Sequence, residues 1–206
     1  MNPSRPPARA QPRWVFAYGS LMWNPGFATP ETAPARLQGW HRALCIYSEH
    51  YRGTPQKPGL ILGLLPGGSC RGLAHRLPSD EYDAVRRYLL EREIHNDGVY
   101  RETVHPIHLA DGRVVQALVY LADREHRQFA GKLPHAGALA IVRGASGFTG
   151  TNLAYVRNTA THLRELGLRD RSLEALAREA STTDAPRRLR KSRASGSAAP
   201  RGPARP

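Results

Sequence analysis

The sequence predicts a single α+β domain whose sheet is strongly bent or closed on itself. Segments typical of strands come first along the chain, and segments typical of helices occupy its C-terminal third. The strand segments lie far apart in sequence, so they pair through non-local contacts, and no repeat divides the chain. A length of 206 residues suits one such domain and leaves little room for a second.

Several segments are rich in apolar, aromatic or β-branched residues and are bounded by turn residues. We expect these segments to be strands: 14–18, 35–48, 69–77, 99–109 and 113–121. The Gly- and Pro-rich stretch 50–63 is predicted to be a loop between the second and third strands. Asp111-Gly112 is a strong hairpin signal between the last two strands, which should therefore be antiparallel neighbours.

The predicted helices follow the third strand and fill the end of the chain. The first helix is predicted over 79–93, with Ser79 as a candidate N-cap and acidic residues in its first turn. Three more helices are expected near the C-terminus: about 135–143, 151–167 and 171–180.

The positive charge of the chain lies mainly at its two ends. The formal net charge is +13, but residues 14–181 hold 20 of the 30 basic and 16 of the 17 acidic residues. We predict that 1–13 and 182–206 are disordered tails, the second of them basic, because they contain almost no large apolar residue. The domain at 14–181 then has a net charge of only +4, which disfavours nucleic-acid binding by the fold itself.

The cysteine count and the apolar segments indicate the cellular compartment of the protein. Cys45 and Cys70 are its two cysteines, which argues against a disulfide scaffold and fits a reducing cytoplasm. No apolar run reaches the roughly 20 residues that span a bilayer. No apolar signal region follows the first arginines. We therefore expect a cytoplasmic protein without a membrane partner.

A metal site is not expected from the histidine and cysteine pattern. His105 and His108 lie three residues apart on a predicted strand, so they point to opposite faces of the sheet. The HExxH and Cys–His spacings of zinc sites are missing from the sequence. Neither Cys45 nor Cys70 lies beside an evident base, so both are interpreted as core residues.

The first predicted helix ends its apolar face with a carboxylate. At 100° per residue, Val85 and Leu89 lie about 60° and 20° from Tyr82 around the axis and form an apolar stripe. Glu93 lies about 20° from the same line, whereas Glu91 is about 180° away and faces solvent. Two interpretations of Glu93 stay open. It is either one half of an ion pair at a helix end, or a desolvated carboxylate whose raised pKa suits acid–base catalysis.

The stretch FAYGSLMWNP, residues 16–25, places a turn between large apolar side chains. A strand that stops at Gly19-Ser20 presents successive backbone N–H groups, which bind carboxylates and oxyanions without a cationic side chain. The alternative is an ordinary tight turn, in which Gly and Ser are common.

These features belong to four segments that resemble one enzyme family in sequence and in order: WVFAYGSLMWNPGF, HYRGTPQKPGLILGLLPGGSCRGLAHRL, YLLEREI and GASGFTGTNLAYV. Together they resemble the ChaC family of glutathione-specific γ-glutamylcyclotransferases, in particular its bacterial branch, over about residues 14–176. The resemblance implies a small mixed β-barrel with flanking helices and no cofactor. It also implies a lyase that releases 5-oxoproline and cysteinylglycine from reduced glutathione.

The same resemblance implies the site residues. The family's catalytic glutamate, a general acid and base, matches Glu93, which follows Arg92 at a helix end. The family's substrate-binding turn and its Gly-x-Asn-x-x-Tyr segment match these residues: Tyr18, Gly19, Ser20, Leu21, Asn152 and Tyr155. Arg52 is implied as a contact for the glycyl carboxylate of the substrate.

Two features depart from the family pattern. Ala17 stands where the family usually has Gly before the tyrosine of the turn, and the link EIHNDGVY from Glu93 to Tyr100 is longer than usual. The longer link bears on the rim of the site. His95, within it, is interpreted as a surface residue with at most a minor role at that rim.

Two alternatives to glutathione cleavage stay open. In the first alternative, the substrate is another γ-glutamyl peptide or a γ-glutamylamine. In the second, the protein is a catalytically dead regulatory or nucleic-acid-binding protein that uses its basic tail. The partner expected first is a small molecule, glutathione, and the sequence leaves the oligomeric state open.

Overall fold

The computed structural model describes residues 11–95 and 98–182. The predicted tail residues 1–10 and 183–206 lie outside this part of the chain. The elements in chain order are β1 (Trp14–Ala17), β2 (Thr32–Ser48), β3 (Gly59–Arg76), α1 (Tyr82–Leu90), β4 (Tyr100–Leu109), β5 (Val114–Ala122), α2 (His135–Gly144), β6 (Ser146–Gly147), β7 (Gly150–Thr151), α3 (Asn152–Glu165) and α4 (Arg171–Ser181). A 3₁₀ turn follows β1 at Ser20–Met22, and a π-helical turn continues α1 at Glu91–His95.

The sheet closes into a barrel, with the spatial strand order β1-β3-β2-β4-β5 among the described residues. Neighbouring strands are antiparallel except at the closure, where β1 runs parallel to β5. The long strands β2 and β3 change register after Gln38 and after Leu44, and such bulges bend a sheet toward closure. The predicted α+β class with a closed sheet is therefore confirmed.

Strand β3 begins at Gly59, so the prediction of a loop over 50–63 was wrong for its last part. Leu60, Leu62 and Leu64 alternate into the core along this strand, and their backbone pairs with β2. Alternation of buried apolar residues is the pattern of a half-buried strand. The surrounding glycines and prolines concealed that pattern in the sequence.

The hairpin predicted around Asp111-Gly112 is confirmed. β4 and β5 pair antiparallel on either side of it. The Leu109 N–H donates to the Arg113 carbonyl at 2.9 Å, and Gly112 has a φ of 92°, which glycine adopts without steric cost.

Helix α1 begins at Tyr82, and Glu81 occupies its N-cap position without a side-chain cap bond, so the predicted N-cap Ser79 was wrong. The buried face of α1 consists of Tyr82, Val85 and Leu89, which is the predicted apolar stripe. The α-helical geometry ends before the predicted boundary, and the π-helical turn takes over.

The C-terminal helices α2, α3 and α4 pack on one another, and α2 and α3 also pack against the barrel through β3. Thr151 caps α3 by accepting the N–H of Ala154, and Asp170 caps α4 by accepting the N–H of Leu173. These side chains satisfy backbone donors that a helix start leaves open. Among the described residues, no helix is both long and apolar enough to cross a membrane.

The start of the described chain also contacts the fold. Arg13, which the sequence placed in the N-terminal tail, accepts the Leu77 N–H on its carbonyl at 2.8 Å. Its guanidinium lies 5.5 Å from the centre of the Tyr82 ring, within the range of a cation–π contact.

Candidate active site

A small cavity lies where β1 ends and the 3₁₀ turn begins. Residues from the turn, the barrel strands, the π-helical turn and α3 line it: Tyr18, Gly19, Ser20, Leu21, Leu62, Glu93, Tyr100, Tyr120 and Tyr155. Its volume of about 40 Å³ holds no more than a few water molecules. The structure therefore brings together every predicted site residue except Arg52 and Asn152.

The N–H groups of Ser20 and Leu21 lie ahead of the first hydrogen-bonded donor of the 3₁₀ turn. That first bond runs from the Met22 N–H to the Gly19 carbonyl at 2.9 Å. The leading N–H groups of a helical turn have no acceptor inside the turn itself. Because both residues line the cavity, this turn is a site that can bind a carboxylate through its backbone.

Tyr18 precedes the 3₁₀ turn and is held by two hydrogen bonds. Its hydroxyl donates to the Tyr120 carbonyl at 2.8 Å, and its own carbonyl accepts from the Nε of Arg42 at 2.7 Å. Burial raises the pKa of Tyr18 well above its usual value, and the nearby Glu93 charge acts in the same direction. The phenol of Tyr18 thus stays protonated and acts as a support for the turn.

Glu93 brings a mostly buried carboxylate to the cavity. Its side chain is 16 % exposed, and its Oε1 lies 3.1 Å from the Nε of Arg92. Burial raises the pKa of Glu93, while the charge and hydrogen bond of Arg92 lower it, and the net direction is upward. A carboxylate with a raised pKa exchanges protons more readily near neutral pH than an ordinary glutamate.

Glu93 reaches the cavity through a geometry that its helical phase did not predict. Leu89 and Glu93 are four residues apart, which is slightly more than one turn of an α-helix and less than one turn of the wider π-helix. Glu91 is nevertheless exposed and Glu93 is not, so the predicted difference between the two carboxylates is confirmed. π-helical turns occur frequently at functional sites.

Arg92 connects the end of α1 to the 3₁₀ turn and to the chain that follows it. Its Nη2 donates to the Oγ of Ser20 at 3.0 Å. Its Nη1 donates to the Asn24 carbonyl at 2.7 Å and to the Tyr88 hydroxyl at 2.9 Å. One guanidinium therefore holds the Glu93 carboxylate and the turn in a fixed relation.

Tyr100 and Tyr155 meet on the backbone of Leu62. The Tyr100 hydroxyl donates to the Leu62 carbonyl at 2.6 Å, and the Leu62 N–H donates to the Tyr155 hydroxyl at 3.1 Å. Burial raises the pKa of Tyr155 to about 12 and that of Tyr100 well above its usual value. Both phenols are therefore neutral hydrogen-bonding groups on the cavity wall.

Asn152 attaches α3 to the barrel. Its side chain is fully buried; its Oδ1 accepts the Leu60 N–H at 2.8 Å and its Nδ2 donates to the Leu60 carbonyl at 2.7 Å. The side-chain amide thus pairs with β3 as a neighbouring strand would. One turn further along α3, Tyr155 reaches Leu62, so the predicted Asn152–Tyr155 segment positions the helix against the cavity.

Arg52 lies outside the cavity lining and contacts the ring of Tyr155. Its guanidinium carbon is 5.4 Å from the centre of the Tyr155 ring, and its Nη1 donates to the Thr149 carbonyl at 2.7 Å. The predicted rim at 95–100 is described in part: Tyr100 lines the cavity, while residues 96–97 and the His95 side chain lie outside the described structure.

Sequence reasoning did not find Leu62, Tyr120 or Arg42, and it placed Tyr100 only at the end of the predicted rim. Leu62 bonds Tyr100 and Tyr155 through its backbone, and Tyr100 and Tyr120 belong to strands that approach β1 through closure of the barrel. No local motif marks such contacts. The nearly continuous apolar run of β5 was the available signal, and it indicates burial without indicating a cavity.

Comparison with known proteins gives a consistent set of relatives. A family model described as ChaC-like protein matches residues 13–183. The chain is 37% identical over 165 residues to the glutathione-specific gamma-glutamylcyclotransferase of Escherichia coli (strain K12), across 80% of this chain and 71% of that one. It is 29% identical over 187 residues to the protein of the same name from Schizosaccharomyces pombe, across 81% of this chain and 90% of the relative.

The fold also matches a solved structure. A crystal structure of a γ-glutamyl cyclotransferase specific to glutathione from yeast superposes with a TM-score of 0.74, at 21% identity, over 81% of this chain and 94% of that chain. At this identity the likeness shows a shared fold. From the match of the family model over most of the chain, and from the relatives in Escherichia coli and Schizosaccharomyces pombe, the chain belongs to the ChaC-like protein family.

Proposed function

We propose that this protein is a γ-glutamylcyclotransferase that cleaves reduced glutathione to 5-oxoproline and cysteinylglycine. The observation that carries this function is that the Glu93 carboxylate and the leading N–H groups of the 3₁₀ turn line one cavity. The relatives named as glutathione-specific gamma-glutamylcyclotransferases support glutathione as the substrate.

The reaction moves two protons between two nitrogen atoms. The γ-glutamyl group carries an α-ammonium, an α-carboxylate and the γ-carbonyl that is attacked. Glu93 takes a proton from the ammonium, the free amine forms a bond to the γ-carbonyl carbon, and the bond from that carbon to the cysteinyl nitrogen breaks. Glu93 returns the proton to the departing nitrogen, and a second proton leaves the new ring nitrogen for the same amine. General acid–base transfer of this kind contributes about 10² to 10⁴ in rate.

Binding of the glutamyl end uses the backbone donors of the 3₁₀ turn and the Glu93 carboxylate. The N–H groups of Ser20 and Leu21 hold the α-carboxylate, and the α-ammonium lies against Glu93. The ammonium then replaces Arg92 as the partner of the Glu93 carboxylate. Held at both ends, the glutamyl chain folds its amine toward its own γ-carbonyl, which converts a loose chain into a near-attack conformer.

The tripeptide is larger than the present cavity of about 40 Å³, so its entry displaces lining side chains. The Arg92–Glu93 pair is the contact that must open, because the substrate ammonium competes with Arg92 for the carboxylate. Both side chains retain some solvent contact, at 20 % and 16 % exposure, so the exchange occurs at the mouth of the site.

The cysteinylglycine end determines whether the enzyme is specific for glutathione. Arg52 stacks on Tyr155, which lines the cavity, and is a cationic side chain within reach of a glycyl carboxylate that extends past that ring. A site that meets a polar substrate group rejects analogues that lack it far more strongly than an apolar pocket rejects a missing methylene. We therefore assign glutathione, rather than γ-glutamyl peptides in general, as the substrate.

The test is release of 5-oxoproline by the purified protein from a panel of γ-glutamyl compounds. Glutathione should be cleaved, while γ-glutamylalanine and γ-glutamylamines should be poor substrates. Activity on γ-glutamylalanine with none on glutathione would make the protein a γ-glutamyl peptide cyclotransferase. Release from none of the compounds would overturn the enzymatic function altogether.

The proposed compartment is the cytoplasm, where glutathione is held in its reduced form. Cys45 and Cys70 are free and buried, which fits a reducing environment. The oxidised disulfide of glutathione should be a poor substrate, because its second half would have to pass the rim of a small cavity.

A further inference from the structure

We propose that Arg42 is a positioning residue that fixes the peptide plane between Tyr18 and Gly19 and so directs the Gly19 N–H into the cavity. This inference rests on the proposed function in one respect, since it adds a third backbone donor for the carboxylate of the glutamyl group. It concerns binding of that carboxylate and not the chemistry of Glu93.

Arg42 is held by three elements at once. Its Nε donates to the Tyr18 carbonyl at 2.7 Å, and its Nη2 donates to the Arg71 carbonyl on β3 at 2.8 Å. Its Nη1 lies 3.6 Å from the Oδ2 of Asp170, the N-cap of α4. The side chain is only 8 % exposed, so this guanidinium is confined between β1, β3 and α4.

The bond to Tyr18 determines the direction of the next backbone donor. The Tyr18–Gly19 peptide bond is trans, and in a planar trans peptide the C=O and N–H point in opposite directions. Arg42 holds the carbonyl and does not line the cavity, whereas Gly19 lines it. The Gly19 N–H therefore points away from Arg42 and toward the cavity.

Rotation of the same peptide would have the opposite effect. If Arg42 released the Tyr18 carbonyl, that oxygen could turn toward the cavity and the Gly19 N–H would turn away. A carbonyl dipole in that position repels a carboxylate, where the N–H attracts it. Glycine at position 19 has the conformational freedom that such a rotation needs, so an external bond is required to keep one orientation.

Arginine suits this task better than lysine. The guanidinium is planar and presents its donors in a rigid fork, so one side chain bonds two carbonyls and approaches one carboxylate in fixed directions. A lysine keeps the charge but donates from a single flexible point. A lysine variant therefore separates the effect of charge near the turn from the effect of the fixed hydrogen bond.

The experiment measures binding of 5-oxoproline and of 5-oxoprolinamide, which differ only in the carboxylate. Wild-type protein, Arg42→Gln and Arg42→Lys are compared by calorimetric or NMR titration. Arg71→Gln is the matched control, because the Arg71 side chain is exposed and only its carbonyl contacts Arg42. Folding of each variant is checked by its melting temperature.

We expect the wild-type protein to prefer 5-oxoproline by about tenfold or more, the factor that one hydrogen bond to a charged group supplies. Arg42→Gln should lose most of this preference without a change in affinity for the amide. Arg42→Lys should lose part of it, and this variant decides the matter if Arg42→Gln does not fold. Arg71→Gln should keep the wild-type preference.

The proposal is overturned if the Arg42 variants weaken both compounds equally, if Arg71→Gln loses as much preference, or if the wild-type protein does not distinguish the two compounds. A merely structural role of Arg42 predicts the first of these results. Failure of the proposed function is a separate outcome. It would appear as an Arg42-dependent preference for 5-oxoproline in a protein that does not cleave glutathione.

Discussion

Arg92 and Glu93 are neighbours in the chain and form an ion pair, with the Arg92 Nε 3.1 Å from the Glu93 Oε1. The same guanidinium donates to the Ser20 Oγ at 3.0 Å. The proposed acid–base residue and the proposed carboxylate-binding turn therefore depend on one side chain. Loss of Arg92 should change both the protonation of Glu93 and the position of the turn.

Arg92→Gln should move the acidic limb of the pH profile of kcat/KM to higher pH. The Arg92 charge lowers the pKa of Glu93 against the effect of burial, so its removal leaves burial unopposed. We also expect kcat/KM at its optimum to fall by about tenfold, since a hydrogen bond to the turn is lost. Arg87→Gln, an exposed change on the same helix, should leave the profile unchanged. An acidic limb that stays in place or moves to lower pH contradicts this assignment.

Glu93→Gln should change how the stability of the protein depends on pH. The pKa of Glu93 is raised in the folded state above its ordinary value of 4.5, so this group stabilises the fold at low pH and that contribution is lost as pH rises through the folded pKa. The glutamine variant lacks this titration. Relative to wild type, its free energy of unfolding should therefore improve as pH rises above 4.5. Urea unfolding at a series of pH values measures the free energy of unfolding of both proteins. A free energy of unfolding of the variant that falls relative to wild type as pH rises would refute the prediction.

Asn152→Ala should destabilise the protein by about 3 kcal/mol, because it leaves the N–H and carbonyl of Leu60 without their buried partners. The corresponding fall in melting temperature is roughly 6–12 °C for a domain of this size. Asn158→Ala is the matched control, since Asn158 is exposed on the same helix. Equal effects of the two changes on thermal unfolding would show that Asn152 does not attach α3 to the barrel.

Arg52→Gln should reduce the preference for glutathione over γ-glutamylcysteine. If Arg52 binds the glycyl carboxylate, the variant loses about tenfold in kcat/KM for glutathione and less than about twofold for γ-glutamylcysteine, which lacks the glycine. Lys57→Gln, in the same loop, serves as the control. Wild-type turnover of γ-glutamylcysteine as fast as that of glutathione would instead indicate a general γ-glutamyl cyclotransferase.

Features that depend on local periodicity were accessible from the sequence. The difference between Glu93 and Glu91 follows from the apolar stripe of Tyr82, Val85 and Leu89, and the hairpin follows from Asp111-Gly112. The π-helical turn at Glu91–His95 was not accessible, because the α-helical periodicity of the sequence gives no sign of its wider winding.

Features that depend on barrel closure were also hidden. Arg42 reaches the Tyr18 carbonyl across 24 positions of the chain, and Tyr100 reaches the Leu62 carbonyl across 38. Neither residue belongs to a short motif, so composition and spacing indicate only a strand at each place. The start of β3 was misplaced for a related reason: local Gly and Pro content predicted a loop, and pairing with β2 overrode it.

The central claim is that Glu93 transfers the protons in glutathione cleavage, and its most direct test compares Glu93→Gln with Glu91→Gln. The measurement is the rate of 5-oxoproline release from glutathione at saturating substrate, together with 5-oxoproline binding and melting temperature for each protein. The wild-type protein and Glu91→Gln should release 5-oxoproline at rates within about twofold of each other, whereas Glu93→Gln should be slower by about 10² to 10⁴ while still folded and able to bind. A Glu93→Gln variant that keeps the wild-type rate, or a Glu91→Gln variant that loses it in place of Glu93→Gln, would contradict the claim.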